Sequence, residues 1–284
     1  MQSVLEILQK TATFLGSRGV ENPRLNAELL IGHALGLKRM ELYLQFERLL
    51  PEAELEKIRP LVRRRAQREP LQYIVGSVDF GGLKLTVDRR ALIPRPETEY
   101  LLELVAARLG ATAPARILDL GTGTGALALA LATRYDGAAV VAVDASAGAL
   151  ALASENAQKL GFSERLRFVQ SDWFAALPAE PGFDLIVANP PYLAQHDVVS
   201  AAPEVREFEP ASALIAAEDG LADLRQIVAA APNYLRPGGL IALETGTEQH
   251  PVLEPFVAAA GLEQFESLND LTERPRFVIA RRPG

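Results

Sequence analysis

Cysteine is absent from all 284 residues. Disulfides, thiolate metal sites and cysteine nucleophiles are thereby excluded. Histidine is nearly as scarce. His33, His196 and His250 are too scattered for a metal cluster or a Ser/His/Asp triad, so no metal is expected. No apolar run approaches the ~20 residues of a membrane span. The first residues lack the charged-then-apolar pattern of a secretory signal. A cytoplasmic protein with no membrane contact is expected. Positive charge is also in deficit, the net charge being -7. That argues against a general nucleic-acid binder, whose phosphate contacts need clustered Lys and Arg. Internal repeats and low-complexity segments are missing. What is present is an ordinary globular balance, 49% hydrophobic and 23% charged, long enough for two domains.

Residues 1–69 read as a helical bundle. Val4, Leu8, Thr11 and Leu15 form a helical stripe that Gly16 and Gly19 end. Asn22-Pro23 reads as N-cap and first helical position of the next helix. A short helix over Met40 to Phe46 and a longer one from Pro51 to Arg68 follow. The run Lys57, Arg59, Arg63, Arg64, Arg65 and Arg68 reads either as a docking face for an acidic partner or as an ordinary solvated helix face. Residues 70–96 read as a connector. Short strands are expected at Gln72 to Val75, Ser77 to Phe80 and Leu83 to Val87, with a Gly81-Gly82 hairpin turn. The stiff segment Ile93-Pro94-Arg95-Pro96 then leads into a helix over Glu97 to Leu109.

Residues 97–284 alternate helix and strand. Strands are expected at Ile117–Leu120, Ala139–Val143, Leu166–Gln170, Asp184–Ala188, Leu240–Glu244, Leu262–Ser267 and Phe277–Ala280. Helices are expected at Ala126–Tyr135, Ala147–Leu160, Leu221–Leu235 and Pro251–Ala260. The pattern implies a mostly parallel sheet with helices on both faces. The last two strands have no helix between them and should pair antiparallel.

Four features follow the first four strands. Asp119-Leu120-Gly121-Thr122-Gly123-Thr124-Gly125 is a glycine-rich strand-to-helix loop. Its glycines stand at i, i+2 and i+4, which matches neither the dinucleotide fingerprint nor the P-loop. A dinucleotide-dependent dehydrogenase is therefore disfavoured. Asp119 would repel a pyrophosphate but suits the ammonium of an amino-acid moiety. Asp144 suits a pair of ribose hydroxyls, or caps the helix after it. Asp172 can accept from an adenine amino group. Trp173, the only tryptophan, can stack on the ring or serve as a core aromatic. Asn189-Pro190-Pro191-Tyr192 is a stiff turn at a strand's carboxyl end, where open α/β sheets hold ligands. Its side-chain oxygen and the Pro190 carbonyl suit the N–H groups of a planar nitrogen, with the Tyr192 ring beside it. Pro-Pro after a strand also reads as a plain loop.

Taken in order, these features resemble the class I S-adenosylmethionine-dependent methyltransferases, with a Rossmann-like, seven-stranded, mostly parallel sheet. The tetrapeptide resembles the motif of enzymes acting on adenine N6, cytosine N4 or a glutamine amide. Further segments narrow the choice: Pro70 to Gly76, Leu92-Ile93-Pro94-Arg95-Pro96-Glu97-Thr98-Glu99, Phe208-Glu209-Pro210, Ala217-Glu218-Asp219-Gly220, Glu244 with Gly246, and Arg274-Pro275-Arg276. With these the chain resembles, over nearly its whole length, the protein-(glutamine-N5) methyltransferases that modify peptide-chain release factors. The hairpin Phe80 to Leu85 departs from that family in having fewer bulky residues.

The resemblance implies methyl transfer from S-adenosylmethionine to the glutamine amide in the Gly-Gly-Gln loop of class 1 release factors. It implies that Gly121, Thr122, Gly123, Thr124, Gly125, Asp144 and Trp173 hold the cofactor, that Asn189 serves cofactor and substrate, and that Asn189 to Tyr192 hold the glutamine. The helical domain is expected to dock the release factor, and the chain to act as a monomer. An adenine-N6 enzyme of RNA or DNA, or a non-catalytic cofactor-binding module, are the alternatives. The first should carry a basic surface; the second need not keep the tetrapeptide.

Overall fold

The computed structural model describes residues 2–284. It divides into two compact units. The first runs up to Ser77 and adds Ala202–Phe208. The second holds Val78–Ala201 and Glu209–Gly284.

The first unit contains β1 (Gln2–Ser3), α1 (Val4–Ser17), α2 (Pro23–Leu35), α3 (Arg39–Tyr43), β2 (Leu49–Leu50), α4 (Glu52–Ala66) and α5 (Leu71–Val75). A capping box opens α1, with Ser3 Oγ accepting from the Glu6 amide and Glu6 accepting from the Ser3 amide. Val4 and Leu8 of α1 pack with Ala27 and Ile31 of α2 and Ile58 of α4. Asn22 does precede α2, but in the left-handed region and without a capping side-chain bond; Pro23 follows it at the helix start.

One expectation here is corrected, and one open choice is narrowed. Gln72 to Val75 is not a strand but part of α5, between Pro70 and Gly76, whose φ is 77°. The Pro and Gly end signals outrank the β-branched residues between them. Of the basic run, four cations are engaged by acids of the same unit. Arg59 pairs with Glu52, and Arg64 with Glu69 at 2.8 Å. Arg65 and Arg68 both clamp Glu204, at 2.8 and 2.6 Å.

The second unit takes in the hairpin β3 (Ser77–Phe80), from Val78 onward, and β4 (Leu83–Thr86), then α6 (Pro96–Leu109). There follow β5 (Arg116–Leu120), α7 (Ala126–Arg134), β6 (Ala139–Asp144), α8 (Ala147–Leu160), β7 (Leu166–Gln170) and β8 (Phe183–Ala188). Next come α9 (Asp197–Ser200), α10 (Pro203–Phe208, in the first unit), a distorted turn α11 (Ala217–Gly220) and α12 (Ala222–Ala230). The chain ends with β9 (Leu235–Glu244), α13 (His250–Ala259), β10 (Glu263–Asn269) and β11 (Pro275–Arg281). The helix expected over Leu221–Leu235 is thus shorter, and β9 begins five residues before the expected Leu240. A 3-10 turn at Ala231–Asn233, containing Pro232, closes the segment early.

Seven strands form one sheet in the order β10-β11-β9-β8-β5-β6-β7. Only β11 runs against its neighbours. All six residues of β8 are buried, as a strand covered on both faces requires. Leu101, Val105 and the alanines and leucines of α7 cover one face; Leu224, Ile227 and Leu253 cover the other. The chain order reverses between β5 and β8, so a crevice is expected beyond their carboxyl ends. Register fixes what reaches it. Leu120 lies opposite Val143 and Ala188, Asp144 opposite Gln170, and Ala188 opposite Leu243. Gly121, Asp144, Ser171, Asn189 and Glu244 therefore leave the sheet at one edge. No helix among the described residues is long and apolar enough to cross a membrane.

Candidate active site

A cavity of about 300 Å³ opens at this edge. Asp119, Gly121 to Thr124, Asp144, Asp172, Trp173, Asn189 and Pro191 all line it. Four strands thus deliver to one place the residues expected there. Gly125, Pro190 and Tyr192 do not line it. Gly125 precedes α7 with φ 83° and packs against Ala153. Pro190 is buried, and Tyr192 is engaged from behind the tetrapeptide.

The glycine loop is held by groups close in sequence. Asp119 Oδ2 accepts from Thr122 Oγ1 at 2.6 Å and from the Ala128 amide at 3.2 Å. Its Oδ1 is buried without a partner, although the residue faces the cavity. Burial pushes this carboxyl up to about 7, against those two bonds, and the Asp144 charge adds to the rise. A cation seated there would meet an acceptor with nothing else to bind. Asp144 accepts from the Gly123 amide at 2.9 Å and from the Ser146 amide at 2.9 Å. Ser146, not Asp144, caps α8, through a bond from the Ala149 amide. Burial raises the Asp144 carboxyl as well.

Trp173 stands at φ 43°, and its Nε1 donates to Asp223 Oδ1 at 3.1 Å. Its ring lies over the glycine loop, since a Cβ added at Gly121 (φ 71°) would sit 3.3 Å from Cζ3. The same position is 4.0 Å from the Asn189 carbonyl oxygen, so the loop and the tetrapeptide are neighbours. A side chain at Gly121 would fill the space between them.

The tetrapeptide is held by residues remote in sequence. Asn189 Nδ2 donates to Thr98 Oγ1 at 3.0 Å, leaving Oδ1 without a partner among the described residues. The Tyr192 hydroxyl donates to Glu244 Oε1 at 3.1 Å, and Arg276 lies over its ring, 5.6 Å from the centroid. Burial and the Glu244 charge raise the Tyr192 phenol well above its usual range, so it stays protonated. The Tyr192 carbonyl accepts from Gln249 Nε2 at 3.0 Å. Gly220, at φ 84°, comes so close to that carbonyl that a Cβ would fall on it. Glu218 and Asp219 before it are also left-handed, at φ 53° and 54°. Arg95, which lines the cavity, pairs with Glu209 at 2.6 Å.

Thr98, Asp223, Gln249, Arg276 and Glu244 carry no local motif that marks an individual role. Glu244 had one available signal: an acid at the end of the strand paired with β8 must stand at the same edge as Asn189.

Comparison with known proteins places these features in context. The family model described as PrmC N-terminal domain matches residues 6–76, and that of the methyltransferase small domain matches residues 97–212. A release factor glutamine methyltransferase of Deinococcus radiodurans is 45% identical over 280 residues, covering 98% of this chain and 98% of that one. One of Chlorobaculum tepidum is 46% identical over 250 residues, covering 85% of each. Among solved structures, the Thermus thermophilus 16S rRNA N2 G1207 methyltransferase in complex with AdoMet and guanosine superposes with a TM-score of 0.52 at 26% identity. It covers 72% of this chain, and the match spans 49% of that longer protein. The hMettl16 catalytic domain has a TM-score of 0.59 at 18% identity, over 78% of this chain and 81% of that one, which speaks for the fold alone.

Proposed function

The chain belongs to the release factor glutamine methyltransferases, and from that premise we propose that it methylates the side-chain amide nitrogen of the Gly-Gly-Gln glutamine in class 1 peptide chain release factors, with S-adenosylmethionine as donor. The observation that carries the assignment to this site is the position of Asn189. Its main chain abuts the glycine loop while its side-chain oxygen remains free.

The donor fits the residues present. Asp119 Oδ1 is a buried acceptor without a partner for an ammonium, Asp144 stands at the second strand's end for a diol, and Gly121 leaves room where a Cβ would collide. When bound, S-adenosylmethionine supplies a methyl group on an electrophilic sulfonium. The chain's own part is positioning. An amide nitrogen is a poor nucleophile because its lone pair is delocalised. Asn189 Oδ1 accepts one of its N–H bonds, and the Pro190 carbonyl is assigned the other. Holding the nitrogen in line with the methyl removes most of the orientational barrier. No strong base is needed, because the proton leaves after the nitrogen has become positive.

A protein acceptor is preferred to a nucleic acid. Four of the six cations in the basic run already carry ion pairs within their own unit, and the net charge is -7. The first unit is assigned to docking the release factor. It presents exposed Met40, Leu44 and Leu49, apolar side chains that a partner surface would cover.

The test is incubation with methyl-labelled S-adenosylmethionine, a class 1 release factor and its Gln→Ala loop variant. Label is expected on the first alone, and Asn189→Ala should lose on the order of 10³-fold in rate while still binding cofactor. Label on RNA, or an active Asn189→Ala protein, would overturn the reading. A Gly-Gly-Gln loop peptide should be a much poorer substrate than the whole factor; equal kcat/KM would refute docking outside the site.

A further inference from the structure

An asparagine can present either an oxygen or an NH2 group, and nothing within Asn189 to Tyr192 decides which. The decision lies in two buried residues far away in sequence. Thr98 Oγ1, which accepts from Asn189 Nδ2 at 3.0 Å, donates at 2.6 Å to Glu244 Oε2. The other oxygen of Glu244 accepts from the Tyr192 hydroxyl at 3.1 Å, and Arg276 Nη1 donates to that same hydroxyl oxygen at 3.3 Å. Thr98 is 5% exposed and Glu244 1% exposed, so water does not substitute for these partners.

The polarity follows from counting protons. An ionised carboxylate only accepts. The single hydroxyl proton of Thr98 is therefore committed to Glu244, and its oxygen can offer Asn189 only a lone pair. Asn189 must turn its nitrogen to Thr98 and its oxygen the other way. A flipped Asn189 would bring two acceptors together at Thr98 and offer the substrate N–H another donor.

We propose that Thr98 and Glu244 form a polarity relay that sets the orientation of the Asn189 amide, keeping its oxygen as the acceptor for the substrate amide. Both are positioning residues; neither touches the reacting atoms. The inference rests on the reading of Asn189 as the glutamine acceptor. It also explains why the donor to the second carboxylate oxygen is Tyr192: the tetrapeptide contributes both ends of the network, so Glu244 is held by the turn it orients.

The relay has a pH signature. The groups facing Glu244 are Thr98 and Glu97 from α6, Tyr192 from the turn after β8, and Arg276 from β11. Burial raises the Glu244 carboxyl from its ordinary range and Glu97 adds to this. The Thr98 and Tyr192 bonds and the Arg276 charge oppose it. Protonated, Glu244 becomes a donor to Thr98, whose own proton then turns toward Asn189 and reverses it. The rate should fall with acidification at a pH above the usual carboxylate range. Glutamine at this position can still accept from Thr98 but cannot titrate.

The test compares Thr98→Val, Thr98→Ser and Glu244→Gln in the full chain, by methyl transfer to a release factor across pH and by the 15N side-chain amide signals of Asn189, identified by their loss in Asn189→Asp. Thr98→Val should lower kcat on the order of 10²-fold with KM nearly unchanged. Thr98→Ser should restore most of the rate, and Glu244→Gln, assayed at S-adenosylmethionine saturating at every pH so that Asp119 does not contribute, should lack the acid limb. The Asn189 amide pair should move in Thr98→Val and stay in Thr98→Ser. A serine variant as impaired as the valine variant, or an unaltered acid limb in Glu244→Gln, overturns the relay. If the unmodified chain labels no release factor, the proposed substrate falls. The amide signals then decide the relay alone: an Asn189 pair unmoved in Thr98→Val refutes it.

Discussion

The two halves of the proposed site, one for the cofactor and one for the acceptor, are held in opposite ways. The cofactor half is supported from within its own stretch of chain. Asp119 binds Thr122 three residues on and Ala128 nine residues on, and Gly123 donates to Asp144 one β-α-β unit away. The acceptor half is four residues supported almost wholly from elsewhere. Thr98 is 91 residues from Asn189, and Glu244 and Gln249 are 52 and 57 residues from Tyr192. Local support makes a site cheap to form and readable. Remote support ties the site's geometry to the integrity of the whole sheet, since β8 and β9 must be in register for Glu244 to meet Tyr192.

The comparison is tested most severely at Gly220. This residue carries no functional group, lies 28 positions beyond Tyr192, and has φ 84°. A Cβ there would land on the Tyr192 carbonyl and lie 2.7 Å from Gln249 Nε2, and backbone atoms cannot step aside as a side-chain tip can. Gly220→Ala is expected to shift the tetrapeptide and lower kcat on the order of 10²-fold, leaving cofactor affinity nearly intact. Equal losses in both would show that the two halves do not have separate supports.

This division also explains what could be read in advance. Strand and helix alternation from Arg116 onward was legible because a buried parallel sheet writes apolar runs such as Phe183–Ala188. The glycine loop, Asp144 and the tetrapeptide were legible because each is a compact motif at a strand end. The Thr98–Glu244 bond was not, because Thr98 sits in the first turn after the connector, which reads as a plain helix start. Only the fold brings it to Asn189. Nor was the fate of the basic run, since Glu204 lies 136 residues from Arg68. At Leu71–Val75 the β-branched residues misled, where Pro70 and Gly76 carried the signal.

The cofactor half can be probed through pH without touching the other. Asp119 has its carboxyl pushed up to about 7 by burial. It must be charged to hold an ammonium. Below pH 7 donor binding must first expel a proton, so affinity should fall about fivefold between pH 7 and pH 6. Trp173 lies over Gly121, and its fluorescence is expected to change when the donor binds. Asp119→Asn should bind more weakly and flatten the pH dependence; affinity that is level from pH 8 to 6 in the unmodified chain would count against an ammonium at Asp119.

The smallest effect is expected where remote support serves stability and no reacting atom. Glu204 follows the tetrapeptide by 12 residues yet belongs to the helical unit, where Arg65 and Arg68 hold it. Burial pushes its carboxyl up, but the bonds donated by Arg68 and Arg65 outweigh this and set it at about 2. A carboxyl depressed on folding stabilises the fold above its unfolded value, near 4.5, and that contribution is lost as pH falls toward 2. Glu204→Gln leaves the buried Arg65 guanidinium short of a counter-charge. The cost is about 2 kcal/mol, discounted from a fully buried pair because Arg68 is partly exposed. That corresponds to a Tm lower by roughly 4–8 °C at pH 7. The gap between the two proteins should narrow from pH 5 to pH 3, as the native carboxylate of the unmodified chain loses its advantage over the unfolded one. A gap that is constant with pH would assign the loss to packing, and this remote contact would then differ in kind from those that hold Asn189 and Tyr192.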